Sequence, residues 1–106
     1  MKMYRQGDVA IIATDTIPTN LKAVRRNRGR VILAEGEVTG HAHAIIDTGA
    51  ELLEGTDLDD RFLQVLAEGG VDLIHEEHDT VHLPKGSYIV RGQREYSPEA
   101  IRRVAD

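Results

Sequence analysis

The sequence has no cysteine and no tryptophan among its 106 residues, and aromatic side chains make up only 4% of it. Without cysteine, the chain cannot form a disulfide, a thiolate zinc site, an iron–sulfur site or a cysteine nucleophile. A tightly bound metal ion would therefore need imidazole and carboxylate ligands. Apolar runs extend over only a few residues, which is too short for a membrane-spanning helix. We therefore expect no membrane partner.

Chain length and the N-terminal sequence indicate how the protein is organised. Domains usually hold about 100–150 residues, so we expect a single domain over residues 1–106. Residues 1–8 lack the apolar segment of a secretory signal, which predicts a cytoplasmic protein. The sequence contains no internal repeat and no low-complexity tract.

Short runs of β-branched residues between glycine-containing turns predict an all-β fold. Strands of this length and spacing indicate a small β-barrel or sandwich. Its exposed strand edges make a homo-oligomer a candidate state. Ser97 is a suitable N-cap and Pro98 suits the first helical position, so residues 97–104 should form a short C-terminal helix. The predicted strands cover residues 8–14, 30–38, 41–47, 50–54, 61–66, 71–75, 81–83 and 87–91.

The segment over residues 57–70 fits two patterns. Leu58, Phe62 and Leu66 recur at the spacing of one helix face, which favours a helix. Two short apolar runs on either side of the Gly69-Gly70 pair favour a β-hairpin instead. We expect the hairpin, because the neighbouring segments are all strand-like and of similar length.

The net charge of −5 conceals a segregation of charge along the chain. Residues 1–30 carry seven basic and two acidic side chains, whereas residues 31–84 carry one basic and thirteen acidic ones. Basic clusters can bind phosphates through charge and counterion release. The alternative is a solvated basic loop that pairs with the acidic middle of the same chain. The candidate phosphate-binding or nucleic-acid-binding residues are Lys22, Arg25, Arg26, Arg28 and Arg94.

All five histidines lie within the acidic middle of the chain. His41 and His43 alternate along a predicted strand, so their side chains share a face, roughly 6–7 Å apart. His75 and His78 would diverge in a regular strand, but a turn or bulge within residues 75–79 would bring them together. Three or four imidazoles with a carboxylate suit zinc, iron, manganese or nickel. We therefore predict a metal site built by His41, His43, His75 and His78, with His82 or a glutamate nearby.

Glu76 and Glu77 lie between two of these histidines and are the candidate catalytic residues. One of them could ligate the ion while the other acts as a general base, and the sequence leaves the two roles interchangeable. The HEEH string is one residue shorter than the HExxH motif of zincins, and the flanking strand patterns argue against a helix. A bound ion would activate water for hydrolysis or polarise a phosphoryl or carbonyl oxygen.

Two functions that need no metal ion remain open. Paired histidines can act as general acid and base in RNA cleavage, while a nearby basic side chain stabilises the developing charge. Alternatively, the chain is a non-enzymatic nucleic-acid or protein-binding module that uses the basic segment over residues 22–30. Carboxylates around the histidines would repel RNA unless a cation neutralises them.

Two short runs resemble motifs of the cupin family. Gly36-Glu37-Val38-Thr39-Gly40-His41-Ala42-His43 resembles the first cupin motif, in which a glycine precedes an HxH pair. His82-Leu83-Pro84-Lys85-Gly86 resembles the PxG turn of the second motif, although no histidine follows where a cupin places its last ligand. The resemblance implies a β-barrel whose inward-facing histidines bind a divalent metal. The stretch from His75 to Pro98 is also similar to small uncharacterised bacterial and phage proteins.

These patterns together predict an all-β domain, a small barrel or cupin-like roll with a short C-terminal helix. The leading functional hypothesis is a divalent-metal-binding protein. Hydrolysis of a phosphate-containing or nucleic-acid substrate is the reaction that such a centre would support.

Overall fold

The computed structural model describes residues 2–36, 40–55 and 61–92, and these residues form ten β-strands in two antiparallel sheets. In chain order the strands are β1 (Met3–Gln6), β2 (Val9–Thr14), β3 (Lys22–Ala23), β4 (Val31–Glu35), β5 (Ala42–Ile45), β6 (Ala50–Glu54), β7 (Arg61–Val65), β8 (Val71–Ile74), β9 (Val81–Leu83) and β10 (Gly86–Gly92). One sheet has six strands in the order β1-β2-β10-β7-β6-β3. The other has four strands in the order β4-β5-β8-β9.

Alternation of apolar and polar residues explains how the two sheets share one core. Successive side chains of a strand point to opposite faces, so Leu52 and Leu73 are buried while the preceding Glu51 and Asp72 are exposed. Full burial of an aliphatic side chain contributes roughly 1.5–3 kcal/mol. Strands of both sheets contribute to a single hydrophobic cluster, formed by Val9, Ile11, Val31, Leu33, Ile45, Ala50, Leu52, Leu63, Val65, Val71, Leu73, Leu83, Tyr88 and Val90.

The all-β class predicted from the sequence is confirmed, and each predicted strand has a counterpart whose ends coincide or differ by a few residues. Residues 37 and 38, the end of the predicted strand over 30–38, lie outside the described residues. Two strands were not predicted. β1 contains no β-branched residue, and β3 is only two residues long within the basic segment. The strand signal in both sequences was therefore too weak for recognition by propensity alone.

The expected closed barrel is not formed by the strands that the structure describes. β1 and β3 end the six-stranded sheet, and β4 and β9 end the four-stranded sheet. The described strands therefore form two open sheets, each with two edges. The predicted helix over residues 97–104 lies outside the described residues. Within those described, no helix is long and apolar enough to cross a membrane.

The predicted hairpin around Gly69 and Gly70 is wrong in its pairing. Strands do lie on both sides of the glycine pair, but β7 pairs with β6 and β10, whereas β8 pairs with β5 and β9. The connection thus passes from one sheet to the other. Periodicity identifies each strand, but strand partners are chosen by contacts between residues distant in sequence.

A tight turn at Arg28 and Gly29 lies in another connection between the sheets, from β3 to β4. Both residues have positive φ angles, 55° and 79°, as the two-residue type I′ turn requires. Asn27 and Arg30 exchange backbone hydrogen bonds of 2.8 and 3.0 Å across it. The basic segment is therefore a small ordered hairpin in this region, and Arg28 lies exposed at its tip.

The guanidinium of Arg26 joins this turn to a third connection, from β5 to β6. It donates hydrogen bonds to the carbonyl oxygen of Gly29 within the turn and to those of Ile46, Asp47 and Ala50. One planar side chain thereby holds two chain segments that both pass between the sheets. Arg61 makes a similar link, since it donates to the carbonyl of Leu33 in the opposite sheet.

We expect Arg26→Ala to destabilise the fold, because four carbonyl groups lose a charged donor. Loss of hydrogen bonds to a charged group costs on the order of 1.5–3 kcal/mol. The free energy of unfolding, measured by urea denaturation, should fall by about this amount. Arg25→Ala is the matched control, since Arg25 is exposed and makes none of these bonds. Equal stability of the two variants would contradict this role of Arg26.

Candidate metal centre

Four of the five histidines meet where β5 begins and β8 ends. The two strands are antiparallel, with Ala44 opposite Ile74, so the start of one lies beside the end of the other. This pairing brings the HxH segment next to the HEEH segment, more than thirty residues away in sequence. The rings of His43 and His75 lie 4.4 Å apart between centroids.

The remaining ring contacts extend this group into one cluster of imidazoles. Ring centroids are 5.7 Å apart for His41 and His75, 4.6 Å for His75 and His78, and 5.9 Å for His43 and His78. The chain bends at residues 76–78, which brings His78 back towards His75. The sequence predicted such a bend as the condition for these two side chains to meet. We call His41, His43, His75 and His78 the histidine cluster.

Two members of the cluster, His41 and His75, form with Glu76 a group of side chains that could hold a metal ion. One ligand atom from each lies within 4.8 Å of the other two. Two ligands of a tetrahedral zinc ion are separated by about 3.4 Å, given bond lengths near 2.1 Å, so shifts on the order of 1 Å would complete the site. His41 Nδ1 is buried and has no hydrogen-bond partner among residues 2–36, 40–55 and 61–92, which leaves it available to an ion.

Glu76 is positioned by the backbone of β5. Its Oε1 accepts a hydrogen bond of 2.9 Å from the N–H of Ala42. This bond is the largest cause that lowers the pKa of the Glu76 carboxyl below its ordinary value. Because the bond favours the ionised form, the carboxylate carries the charge that a cation site needs.

The neighbouring Glu77 is also exposed and lies near His41. Its Oε2 is 3.9 Å from His41 Nδ1, and its side chain is 61% exposed. Its backbone N–H donates to His75 Nδ1 at 3.0 Å, so a neutral His75 carries its own hydrogen on Nε2. An ion can bind His75 only if this N–H moves away, and the exposed bend at residues 76–78 offers room for that.

His43 is the most buried member of the cluster, with 1% exposure. Its Nδ1 lies 2.9 Å from Oε1 of Gln6, and its Nε2 lies 3.7 Å from Oδ1 of Asp8. Burial is the largest cause that lowers the pKa of His43 below its ordinary 6.5, followed by the charge of His75, while Asp8 opposes the shift. The folded protein thus favours a neutral ring, which is the form that binds metal.

Sequence patterns did not identify Gln6 and Asp8 as site residues. Gln6 ends β1 and Asp8 lies in the turn that follows, both more than thirty residues before the nearest histidine, so no spacing motif connects them with the cluster. The structure has a turn at Gly7. Gly7 has a φ of 58°, and a Cβ atom at this position would lie 2.6 Å from His78 Nε2. In the sequence, the only available signal was therefore the glycine between Gln6 and Asp8.

The other predicted site residues are not part of the histidine cluster, and two of them are bonded to other groups. His82 pairs with Asp72, with 2.9 Å between Nδ1 and Oδ1. Lys22, Arg25 and Arg28 are exposed, whereas the Arg26 guanidinium is bound to backbone carbonyls. Arg94 lies outside the described residues.

We expect the metal-free protein to lose stability as the pH falls below 6.5. The unfolded chain protonates His43 near pH 6.5, whereas the folded chain does so only at lower pH. Between those values the unfolded state binds more protons, so the free energy of unfolding decreases with falling pH. Urea denaturation at a series of pH values, in the presence of a chelator, measures this free energy of unfolding.

Two variants distinguish the effect of His43 protonation on stability from a general loss of stability. In His43→Gln the decrease below pH 6.5 should become smaller. Leu83→Ala removes a fully buried side chain that does not titrate, so it should lower stability by about 2–5 kcal/mol while leaving the pH dependence as in the wild type. An unchanged decrease in His43→Gln would contradict the assignment.

Comparison with known proteins gives a family but no activity. The matching family is described as a domain of unknown function, DUF8820, and the match covers residues 5–93. That range includes both sheets except the first two residues of β1, all four histidines of the cluster, Gln6 and Asp8. Neither the curated proteins nor the solved structures give a significant match. Because the match spans most of its length, the chain belongs to the DUF8820 family.

Proposed function

We propose that this protein binds a divalent transition-metal ion in its histidine cluster. The observation that carries the proposal is the convergence of four imidazoles and the Glu76 carboxylate, with one ligand atom each of His41, His75 and Glu76 within 4.8 Å of one another. Imidazole and carboxylate ligands suit zinc, manganese, iron or nickel.

The charges around the cluster favour a cation. Carboxylate oxygens of Asp8 and Glu77 lie 3.7 and 3.9 Å from ring nitrogens of His43 and His41, and one of Glu76 lies within 4.8 Å of ligand atoms of His41 and His75. Neutral imidazoles do not offset the negative charge of these three carboxylates. A divalent ion offsets this repulsion and supplies the unpartnered His41 Nδ1 with a bond.

The resemblance to the first cupin motif supports the same ligands. Its two histidines, His41 and His43, both have their rings against His75, so the HxH pair is directed at one place. The likeness concerns this ligand pair rather than a closed barrel, because the described strands form two open sheets.

Hydrolysis of a phosphate-containing or nucleic-acid substrate is the activity we infer for such a centre. A bound ion supplies an activated water and polarises a phosphoryl oxygen. Glu76 then acts as a ligand, and the exposed Glu77 is the candidate general base, since it is near His41 without a backbone hydrogen bond to its carboxylate. The sequence left the roles of metal ligand and general base interchangeable between the two glutamates, and we assign the first to Glu76 and the second to Glu77.

We expect stoichiometric binding of zinc to protein that was purified without a histidine tag. Isothermal titration should show saturable binding, and zinc at 100 times the Kd should stabilise the fold by about 2.7 kcal/mol. In a domain of this size that corresponds to a rise in Tm of roughly 10–20 °C. Absence of binding, tested also with manganese and nickel, would refute the proposal.

Replacement of ligands identifies the site. His41→Ala with His75→Ala should reduce zinc affinity by more than the roughly 10–100-fold that loss of an outer-shell partner costs. His82→Ala is the matched control, because His82 is exposed and pairs with Asp72 outside the cluster. RNA cleavage that survives a chelator and disappears in His41→Ala would instead assign a metal-independent ribonuclease.

Binding of nucleic acid by the basic segment is the second candidate function. The observation in its favour is the exposure of Lys22, Arg25 and Arg28 on and around an ordered hairpin turn. Arg26 contributes to the shape of the segment instead, since its donors are occupied by carbonyl groups.

Binding of labelled single-stranded RNA should weaken steeply with salt if this function is correct. The triple variant Lys22→Gln, Arg25→Gln and Arg28→Asn removes three charges, and Asn tolerates the positive φ at residue 28. The slope of log K against log salt should decrease in magnitude by about 2, at roughly 0.7 per phosphate contact. A variant with Lys85→Gln alone is the control, and an unchanged slope in the triple variant would exclude the segment.

A further inference from the structure

The amide of Gln6 has only one possible orientation in this fold. Its Nε2 donates to the carbonyl oxygens of Leu73 and Asp79 at 2.9 and 3.0 Å. Both partners can only accept, so the NH₂ group must face them. If the amide were flipped, its oxygen would lie against two carbonyl oxygens in a site where the side chain is 2% exposed. Gln6 Oε1 therefore faces His43.

This orientation determines which nitrogen of His43 carries a proton. Gln6 Oε1 can only accept a hydrogen bond, so His43 Nδ1, 2.9 Å away, must donate. The lone pair of the neutral ring is then on Nε2. Metal-bound histidines usually have this arrangement, with the second ring N–H bonded to an outer acceptor that sets tautomer and ring orientation.

Asp8 lies at the nitrogen that remains available. The distance of 3.7 Å between His43 Nε2 and Asp8 Oδ1 is too long for a hydrogen bond. It is close to the separation of about 3.4 Å between two ligands of one tetrahedral ion. Asp8 is 40% exposed, so its carboxylate can move the remaining few tenths of an ångström.

One three-residue turn therefore contacts both nitrogens of the His43 ring, with Gln6 on one side and Asp8 on the other. Gly7 makes this possible because its φ of 58° reverses the chain. It also lies so close to His78 that a Cβ atom here would displace the imidazole. The turn after β1 is thus packed against two members of the histidine cluster.

We propose that Gln6 and Asp8 are parts of the metal centre: Gln6 is a positioning residue that presents His43 Nε2 as the binding nitrogen, and Asp8 is a carboxylate ligand beside it. This inference rests on the proposed metal-binding function. It adds a third chain segment to the site, from the β1–β2 connection of the six-stranded sheet. It also specifies the ligand atom of His43.

The tautomer of His43 is tested in the wild-type protein without metal. Long-range ¹H–¹⁵N correlation spectra of the histidine rings, recorded above pH 7, should show His43 with its proton on Nδ1. In Gln6→Met, which keeps the apolar volume but removes the acceptor, this single tautomer should be lost. A proton on Nε2 in the wild type would overturn the role of Gln6, whether or not the protein binds zinc.

Zinc affinity tests the role of both residues at the centre. Asp8→Asn and Gln6→Met should each weaken zinc binding by roughly 10–100-fold. Asp72→Asn is the matched control, because Asp72 is also an exposed carboxylate beside a histidine, His82, but outside the cluster. Its affinity should equal that of the wild type.

The outcomes separate this inference from the proposed function. If the wild type binds zinc and Asp8→Asn binds it equally well, Asp8 is not a ligand and the inference fails while metal binding stands. If the wild type binds no divalent metal, both fail. Asp8 lies in a half-exposed turn, so Asp8→Asn should fold normally even if Gln6→Met does not.

Discussion

The buried amide of Gln6 is the interaction on which the arrangement of the two sheets at the site depends. Gln6 belongs to an edge strand of the six-stranded sheet, and its three partners belong to the four-stranded sheet and the loop that follows β8. Each polar group left unpaired in a buried site costs about 1–3 kcal/mol. Three simultaneous partners therefore strongly restrict how the edge of one sheet can lie against the other.

Polar links of the same kind recur elsewhere between the sheets. Arg61 reaches from β7 to the carbonyl of Leu33 in β4, and Arg26 joins two connections that cross between the sheets. The hydrophobic core is non-directional, so it draws the sheets together without defining their relative position. Hydrogen bonds with specific geometry supply that definition. The histidine cluster lies beside one of these links, which is why its rings are held close together.

Much of the local structure followed from the sequence. Alternating burial in β6, β8 and β10 matches the alternation of apolar and polar residues, because the strand period of two is a local property. The grouping of His41 with His43 is local for the same reason. A turn or bulge within residues 75–79 was, from the sequence, the condition for His75 and His78 to meet, and the structure has a bend at residues 76–78. The predictions of a closed barrel and of a β7–β8 hairpin were wrong. Both depend on which strands pair with each other, and the local sequence of a strand does not determine its partner.

The sequence by itself determined the strand class, the charge segregation and the exclusion of thiolate chemistry, all of which depend on composition or on neighbours along the chain. Only the tertiary structure decided that HxH and HEEH meet, that Arg26 is occupied by carbonyl groups, and that Gln6 and Asp8 flank His43. These contacts join residues about 20 to 40 positions apart. They arise from sheet pairing and close packing of the whole chain, which no short segment encodes.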